Sequence, residues 1–246
     1  MDVTTISNRS AWKVTVIVPA LNEEATIRQV LNDVRNYADE LLVIDGNSID
    51  QTRQIAEDMG VTVICDNGRG KGAALRQGLQ VASHPIVVFI DADGSHEASD
   101  IPKLIEPIRN GQADIVIGCR MTGGSDELFS DAKEFIRLTG SMIINLAINY
   151  RWKSRLSDTQ NGFRAVVRDI GQALNMREDS TTIEQEMTMK ALARGYRVIN
   201  VASHEYRRKG GETKVRVTRV WLRYVINILK HIIKPDVKNS GTASEQ

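Results

Sequence analysis

Asp91 and Asp93 stand one residue apart at the end of the apolar run 86–90, and Gly94, Ser95 and His96 follow them. Ionised carboxylates at the edge of an apolar core are costly unless a cation lies against them. An Asp-x-Asp pair offers hard oxygen donors, which suit a divalent cation carrying a phosphorylated ligand. The competing reading is a polar turn, since Asp and Gly are common there. Asp45 closes another apolar run at 41–44, and Arg120 follows a third at 114–118. An arginine in such a place could hold phosphate with two parallel hydrogen bonds, or simply face solvent. The stretch 207–214 mixes glycines with cations and suits a loop closing over phosphates. Asp158 lies in a polar loop, and Glu184 with Glu186 opens a helix, where glutamates also favour the macrodipole without any chemistry.

The elements that must position these residues follow from hydrophobic period. Strands are expected at 14–18, 41–44, 61–65 and 86–90, each β-branched and bounded by turn residues. Pro19 closes the first. Helices are expected from Asn22, which can cap, then at 50–59 and 71–82. Beyond them come a helix at 100–110, a strand at 114–118, a helical stretch at 125–152, a strand at 196–201 and a last helix from 218. Strands alternating with helices predict an α/β fold with a mostly parallel sheet covered on both faces. Right-handed crossovers then set every strand's carboxyl end along one edge. Asp45 and the Asp91/Asp93 pair meet on that edge, which favours a ligand crevice over turn punctuation.

Composition narrows the classes. With 246 residues, 41% hydrophobic, 26% charged and a net charge of +1, the chain reads as a soluble globular protein with no whole-molecule pull toward nucleic acid. Cys65 and Cys119 lack metal-ligand spacing and are expected as free thiols in a reducing compartment. The first residues lack the apolar segment of a signal peptide, and no run is long enough to span a membrane, so a cytoplasmic protein is expected. Gly68-Arg69-Gly70-Lys71-Gly72 fails as a Walker A loop, because no Ser or Thr follows Lys71. No G-x-G-x-x-G follows the first strand, and the four histidines show no zinc spacing. The Asp-x-Asp phosphatase motif belongs on the first strand of such folds, whereas this pair follows the fourth.

Assembled in order, the pieces are VPALNEE (18–24), IDGNSIDQT (44–52), GKGAAL (70–75), DADGSH (91–96), IGCR (117–120), SDTQNGFR (157–164), EQEM (184–187) and RKGGETK (208–214). This series resembles the family 2 glycosyltransferases of GT-A fold, and within them the branch of dolichyl-phosphate mannose synthases and other polyprenyl-phosphate glycosyltransferases. The resemblance implies that Pro19, Leu21, Glu23, Ile44, Asp45 and Gly46 hold the base and ribose of a nucleotide sugar such as GDP-mannose or UDP-glucose. It implies that Lys71, Asp91, Ala92 and Asp93 surround the diphosphate, with Asp91, Asp93 and Ser95 toward Mg2+ or Mn2+. Arg120, Arg208 and Lys214 would meet donor or acceptor phosphate, and Glu186 would face the acceptor. Two positions depart from the usual family pattern: 45–48 reads Asp-Gly-Asn-Ser rather than Asp-Asp-Gly-Ser, and Leu21 replaces a frequent tyrosine.

The expected activity is inverting transfer of a hexose to a polyprenyl phosphate, with Asp93, Asp158 and Glu186 as catalytic candidates. A polyprenyl phosphate is already anionic and needs no strong base, whereas an alcohol would need Asp158 or Glu186. A soluble acceptor and a non-catalytic nucleotide-sugar binder are the rivals. Residues 13–217 are expected to form the catalytic domain, between a flexible start (1–12) and an amphipathic helix (218–235) with a disordered tail (236–246). The helix carries an apolar stripe of Val220, Trp221, Tyr224, Val225, Ile228, Leu229, Ile232 and Ile233, with cations beside it. It suits a membrane surface, a membrane-protein partner, a twin subunit or the chain's own domain. The apolar run 142–148 suits either core or a groove for a greasy ligand.

Overall fold

Runs of β-branched residues with no polar interruption form strands only where both faces are covered. In the computed structural model, which describes residues 9–66, 68–126, 132–208 and 217–233, the inner strands are buried, while the two outermost, 62–65 and 198–202, stay partly exposed. Strands β1 (Val14–Ala20), β2 (Glu40–Asp45), β3 (Thr62–Cys65), β4 (Ile86–Phe89), β5 (Ile115–Cys119), β6 (Arg164–Val167) and β7 (Val198–Ala202) form one seven-stranded sheet in the order β3-β2-β1-β4-β6-β5-β7. All pairings are parallel except those of β6, which runs against both β4 and β5.

On one face lie helices α1 (Ile27–Val34), α2 (Thr52–Asp58) and α4 (Ile101–Arg109). The opposite face carries α3 (Lys71–Val81), α7 (Arg168–Ala173) and α8 (Ile183–Ala193). A short turn of helix, α5 (Arg120–Gly123), follows β5. The long α6 (Ala132–Trp152) and the last helix α9 (Val217–Ile233) pack on α8, with Ile144, Ile148, Met189 and Ile228 buried between them. Tyr224 and Asn227 of α9 donate hydrogen bonds to the carbonyls of Thr181 and Thr182 at 3.1 Å each. This stretch of α9 therefore packs on its own domain, while Ile226 and Leu229 remain exposed. Residues 1–8 and 234–246, including the expected tail, lie outside the described residues, as do Lys214, Arg216 and Lys234.

Four local expectations change. Strand β1 continues through Pro19 to Ala20, because β4 pairs with β1 only as far as Ile17 and Pro19 interrupts no ladder on that side. Helix α1 starts at Ile27 rather than at Asn22. Asn22 takes a left-handed φ of 56°, and its side-chain oxygen accepts the N–H of Ile49, tying the turn after β1 to the turn after β2. Ser125 is not helical but bridges to Glu205. The run at 142–148 divides: Ile144 and Ile148 are core, whereas Met142, Ile143 and Leu146 face outward. Both cysteines are free, Cys65 exposed and Cys119 buried.

The reversed β6 matters for the site. A strand antiparallel to its neighbours begins where they end. The loop 157–163 therefore arrives at the same sheet edge as Asp91 and Arg120.

Candidate active site

At that edge the turns after β1 and β2 lie side by side. The Gly46 N–H donates to the Ala20 carbonyl at 2.8 Å, and a side chain on Gly46 would meet Leu21 at 3.3 Å. Pro19 and Glu23 are half-buried and Leu21 is exposed, so this surface is open to a ligand. Ile44 is buried in the apolar layer beneath α3 and offers only backbone. Asp45 is buried and accepts the Ser48 N–H at 3.2 Å. The Ala92 carbonyl accepts the Thr26 hydroxyl at 2.7 Å, which ties the turn after β4 to the start of α1.

The acidic turn is neutralised from two sides. Lys71 Nζ, at the first residue of α3, lies 2.6 Å from Asp91 Oδ1 and 2.9 Å from Glu184 Oε1. Burial opposes the Lys71 charge, but Asp91 and Glu184 outweigh it and hold the ammonium above the usual lysine range. Burial likewise raises Asp91, and Lys71 followed by His96 brings it below the usual carboxylate range. On the other side Arg208 Nε lies 3.2 Å from Asp93 Oδ2, while Asp93 Oδ1 accepts the Ser95 hydroxyl at 2.7 Å. His96 stacks on Phe163 with ring centroids 5.1 Å apart, and its Nε2 stands 3.9 Å from Asp91 Oδ2. Burial pushes its pKa below the ordinary histidine range.

Glycines make these approaches possible. A Cβ on Gly162 would stand 2.7 Å from Lys71 Nζ and 3.0 Å from Asp91 Oδ2, so a larger residue would wedge the pair apart. Gly70, at φ +119°, and Gly72 let the backbone of Glu178 and Asp179 lie against the start of α3. The Gly72 N–H donates to the Asp179 carbonyl at 2.9 Å. The glycine-rich stretch around Lys71 thus serves close packing, which explains why it lacks phosphate-loop spacing. A cavity of about 330 Å3 opens on the α1 side of the acidic turn, between Thr26, Val30, Gly94, His96, Tyr206 and Arg207.

A second cluster occupies the same edge farther along. Arg120 grips Asp158 with Nε and Nη2, at 2.7 and 3.1 Å, and reaches Glu205 with Nη1 at 3.4 Å. Asp158 also accepts the N–H groups of Gln160 and Asn161 at 3.1 and 3.2 Å. Burial would raise Asp158, but Arg120, with the N–H groups of Gln160 and Arg120, holds it below the ordinary carboxylate range. Glu186 accepts the N–H groups of Arg177 and Glu178, at 3.0 and 2.8 Å, and pairs with Lys190 at 2.9 Å.

Of the residues singled out from sequence, the structure brings together Lys71, Asp91, Asp93, Ser95 and Arg208. Arg120 and Asp158 engage each other beside them, Glu186 is engaged by Lys190 and backbone, and Lys214 lies outside the described residues. The residue that sequence reasoning left without a role is Glu184. Its Oε2 is buried with no hydrogen-bond partner among the described residues. Arg164 was missed as well: fully buried, it is fixed by the carbonyls of Asn161 and Glu184 and braces the loop that carries Gly162. Its signals were a lone charge directly ahead of an apolar run and its place at the end of the SDTQNGFR stretch.

The acidic turn suits Mg2+ or Mn2+ on the chemistry of its donors. Asp91, Asp93 and Ser95 offer hard oxygens, and cationic side chains already lie against both carboxylates. Among the described residues no group of three or more His, Cys, Asp or Glu is placed to hold a metal, so phosphate oxygens and water would complete the shell.

Sequence and fold comparisons show the family and the fold. The glycosyl transferase family 2 model matches residues 15–173, and the chain belongs to that family. Its mostly parallel sheet with helices on both faces is the GT-A fold. Glycosyltransferase AglJ of Haloferax volcanii is 34% identical over 201 residues, covering 80% of this chain and 64% of its own length, so the chain spans less than two thirds of that relative. An uncharacterized glycosyltransferase of Mycobacterium tuberculosis is 31% identical over 203 residues, 82% of this chain and 89% of that protein. The dolichyl-phosphate hexose transferase of Haloferax volcanii is 29% identical over 203 residues, 81% and 85% of the two chains. Among solved structures, glucosyl-3-phosphoglycerate synthase from Mycobacterium tuberculosis, in complex with Mn2+, UDP and glucosyl-3-phosphoglycerate, aligns with a TM-score of 0.70. It is 24% identical and covers 97% of this chain and 85% of that one.

Proposed function

We propose that the protein transfers a hexose, mannose or glucose, with inversion from a nucleotide-diphosphate sugar to a polyprenyl phosphate. One observation carries the choice of acceptor. Asp158 and Glu186, the carboxylates that would deprotonate an alcohol, are both saturated, one by Arg120 and backbone N–H groups and the other by backbone N–H groups and Lys190. A carboxylate so engaged, and in the case of Asp158 held below its usual pKa, is a poor general base. A phosphate acceptor is anionic at neutral pH and needs none. The likeness to a dolichyl-phosphate hexose transferase supports the same acceptor.

The turns at 19–23 and 44–46 bind the base and ribose of the donor. Asp91 and Asp93, with Ser95, hold Mg2+ or Mn2+, which when bound supplies Lewis-acid neutralisation of the departing nucleoside diphosphate. Lys71 adds a fixed positive charge beside the same diphosphate. Arg208 leaves Asp93 for a phosphate oxygen as ligand enters. Glu184, buried behind Lys71, fixes that ammonium beside the donor and so helps orient the anomeric carbon for attack from the opposite face.

The test supplies the purified protein with GDP- and UDP-sugars, Mn2+ and a polyprenyl phosphate, and follows glycolipid formation. Transfer from one nucleotide class is expected. Donor binding without turnover in every combination would sink the reading in favour of a nucleotide-sugar binding protein.

A further inference from the structure

The outer side of α6 and α9 exposes large apolar side chains. In α6, Met142, Ile143, Leu146 and Tyr150 face out of the domain, Leu146 at 70% exposure and Tyr150 at 89%. Met142, Leu146 and Tyr150 recur every four residues and so line one side of the helix. Ile144 and Ile148 point the other way into the core. On the adjoining α9, Ile226 and Leu229 are exposed as well. Apolar patches of this kind mark interaction surfaces more often than chance.

The exposed charges on α9 and at the carboxyl end of α6 are cationic. Arg151, Lys153 and Arg155 at the end of α6, and Arg223 and Lys230 on α9, are exposed. Lys230 also reaches Glu178 at 3.4 Å. No Asp or Glu occurs at 135–157 or at 213–235. An apolar face with exposed cations on its own helix segments, and no acid among the residues of those segments, matches an anionic lipid surface, whose attraction adds to apolar insertion. A second copy of this chain would set those cations against their like. Among the described residues no helix is long and apolar enough to cross a membrane, so the contact would be interfacial.

The inner sides of the same helices hold the site. Asn145 and Asn149 of α6 donate to the carbonyls of Ser157 and Leu156 at 2.6 and 2.8 Å, just ahead of Asp158 and Gly162. Asn227 of α9 donates to Thr182, just ahead of Glu184. We infer that α6 and α9 together rest on an anionic bilayer surface, through Met142, Ile143, Leu146, Tyr150, Ile226 and Leu229, and so hold the acidic site beside a phosphate whose chain lies in the lipid. This rests on the polyprenyl-phosphate reading of the acceptor.

The full chain is sedimented with vesicles of phosphatidylcholine containing phosphatidylglycerol, and with phosphatidylcholine alone. Binding to the anionic vesicles is expected, weakened about tenfold or more by Ile143→Glu with Leu146→Glu. Lys153→Glu with Arg155→Glu should remove the preference for anionic lipid. Both pairs lie outside the site, so thermal unfolding and hydrolysis of soluble donor should stay near wild type. No binding to anionic vesicles, equal binding by the apolar variant, or a wild-type dimer that this variant turns into monomer would overturn the inference. Transfer to detergent-dispersed polyprenyl phosphate without vesicle binding would sink the surface alone. Vesicle binding without any transfer would sink the acceptor reading instead.

Discussion

Two cation–carboxylate clusters share the carboxyl edge of one sheet, and they are built differently. At the first, Lys71 divides a single ammonium between Asp91 and Glu184, and Glu184 keeps an oxygen with no hydrogen-bond partner among the described residues. At the second, Arg120 meets Asp158 with two parallel bonds and Glu205 with a third, while backbone N–H groups fill Asp158. A planar fork matched to a carboxylate fixes geometry, whereas a point charge on a flexible stem can be shared and redirected. The first cluster retains bonding capacity for a ligand. The second spends its capacity on joining β5, the 157–163 loop and the segment after β7.

Substitutions should separate the two. The largest effect on turnover is expected from Asp93→Asn, which should lower transfer by about 10^3-fold or more while circular dichroism and the melting curve stay near wild type. Near-normal turnover would remove Asp93 from the chemistry. Arg120→Ala should instead lower stability by about 3–5 kcal/mol, read from urea unfolding, because it leaves Asp158 and Glu205 without their cation. Lys71→Ala should reverse that balance, costing about 10^2-fold in turnover with a smaller loss of stability. If Lys71→Ala unfolds the protein while Arg120→Ala only slows it, the two clusters have been assigned the wrong way round.

Acid provides a gentler probe. The Asp158 carboxyl, raised by burial but held down by Arg120, has a folded pKa below its unfolded one. Its stabilisation is therefore complete above about pH 4 and is lost as pH falls through the lower folded value. Unfolding midpoints between neutral and acid pH should show the fall, and Asp158→Asn should flatten it. The smallest effect is expected from Glu186→Gln, with turnover within about tenfold of wild type when measured on folded protein. A loss as large as that of Asp93→Asn would restore Glu186 as the base.

What the residues alone revealed, and what they hid, divides along the same lines. The parallel units and the convergence of Asp45 with Asp91 and Asp93 were readable because strand period and handed crossovers constrain each other. The choice between Glu184 and Glu186 was not. Two residues apart on a helix, they point to different sides, and only the packing of α8 decides which one meets Lys71. The direction of β6 was hidden because Ala165, Val166 and Val167 suit a strand of either sense. Asn22 had the composition of a helix cap, yet it serves a turn, since its side chain can satisfy Ile49 instead. In α6 apolar residues occur on both sides, so sequence could not separate the core residue Ile148 from the exposed Leu146.

The most direct measurement compares acceptors. With the preferred donor and Mn2+, kcat/KM is measured for a polyprenyl phosphate and for the free polyprenol of equal length. Transfer to the phosphate, with the alcohol slower by about 10^2-fold or more, is the predicted result for a site whose candidate bases are already engaged. Comparable rates on the alcohol, falling with Asp158→Asn or Glu186→Gln, would contradict it.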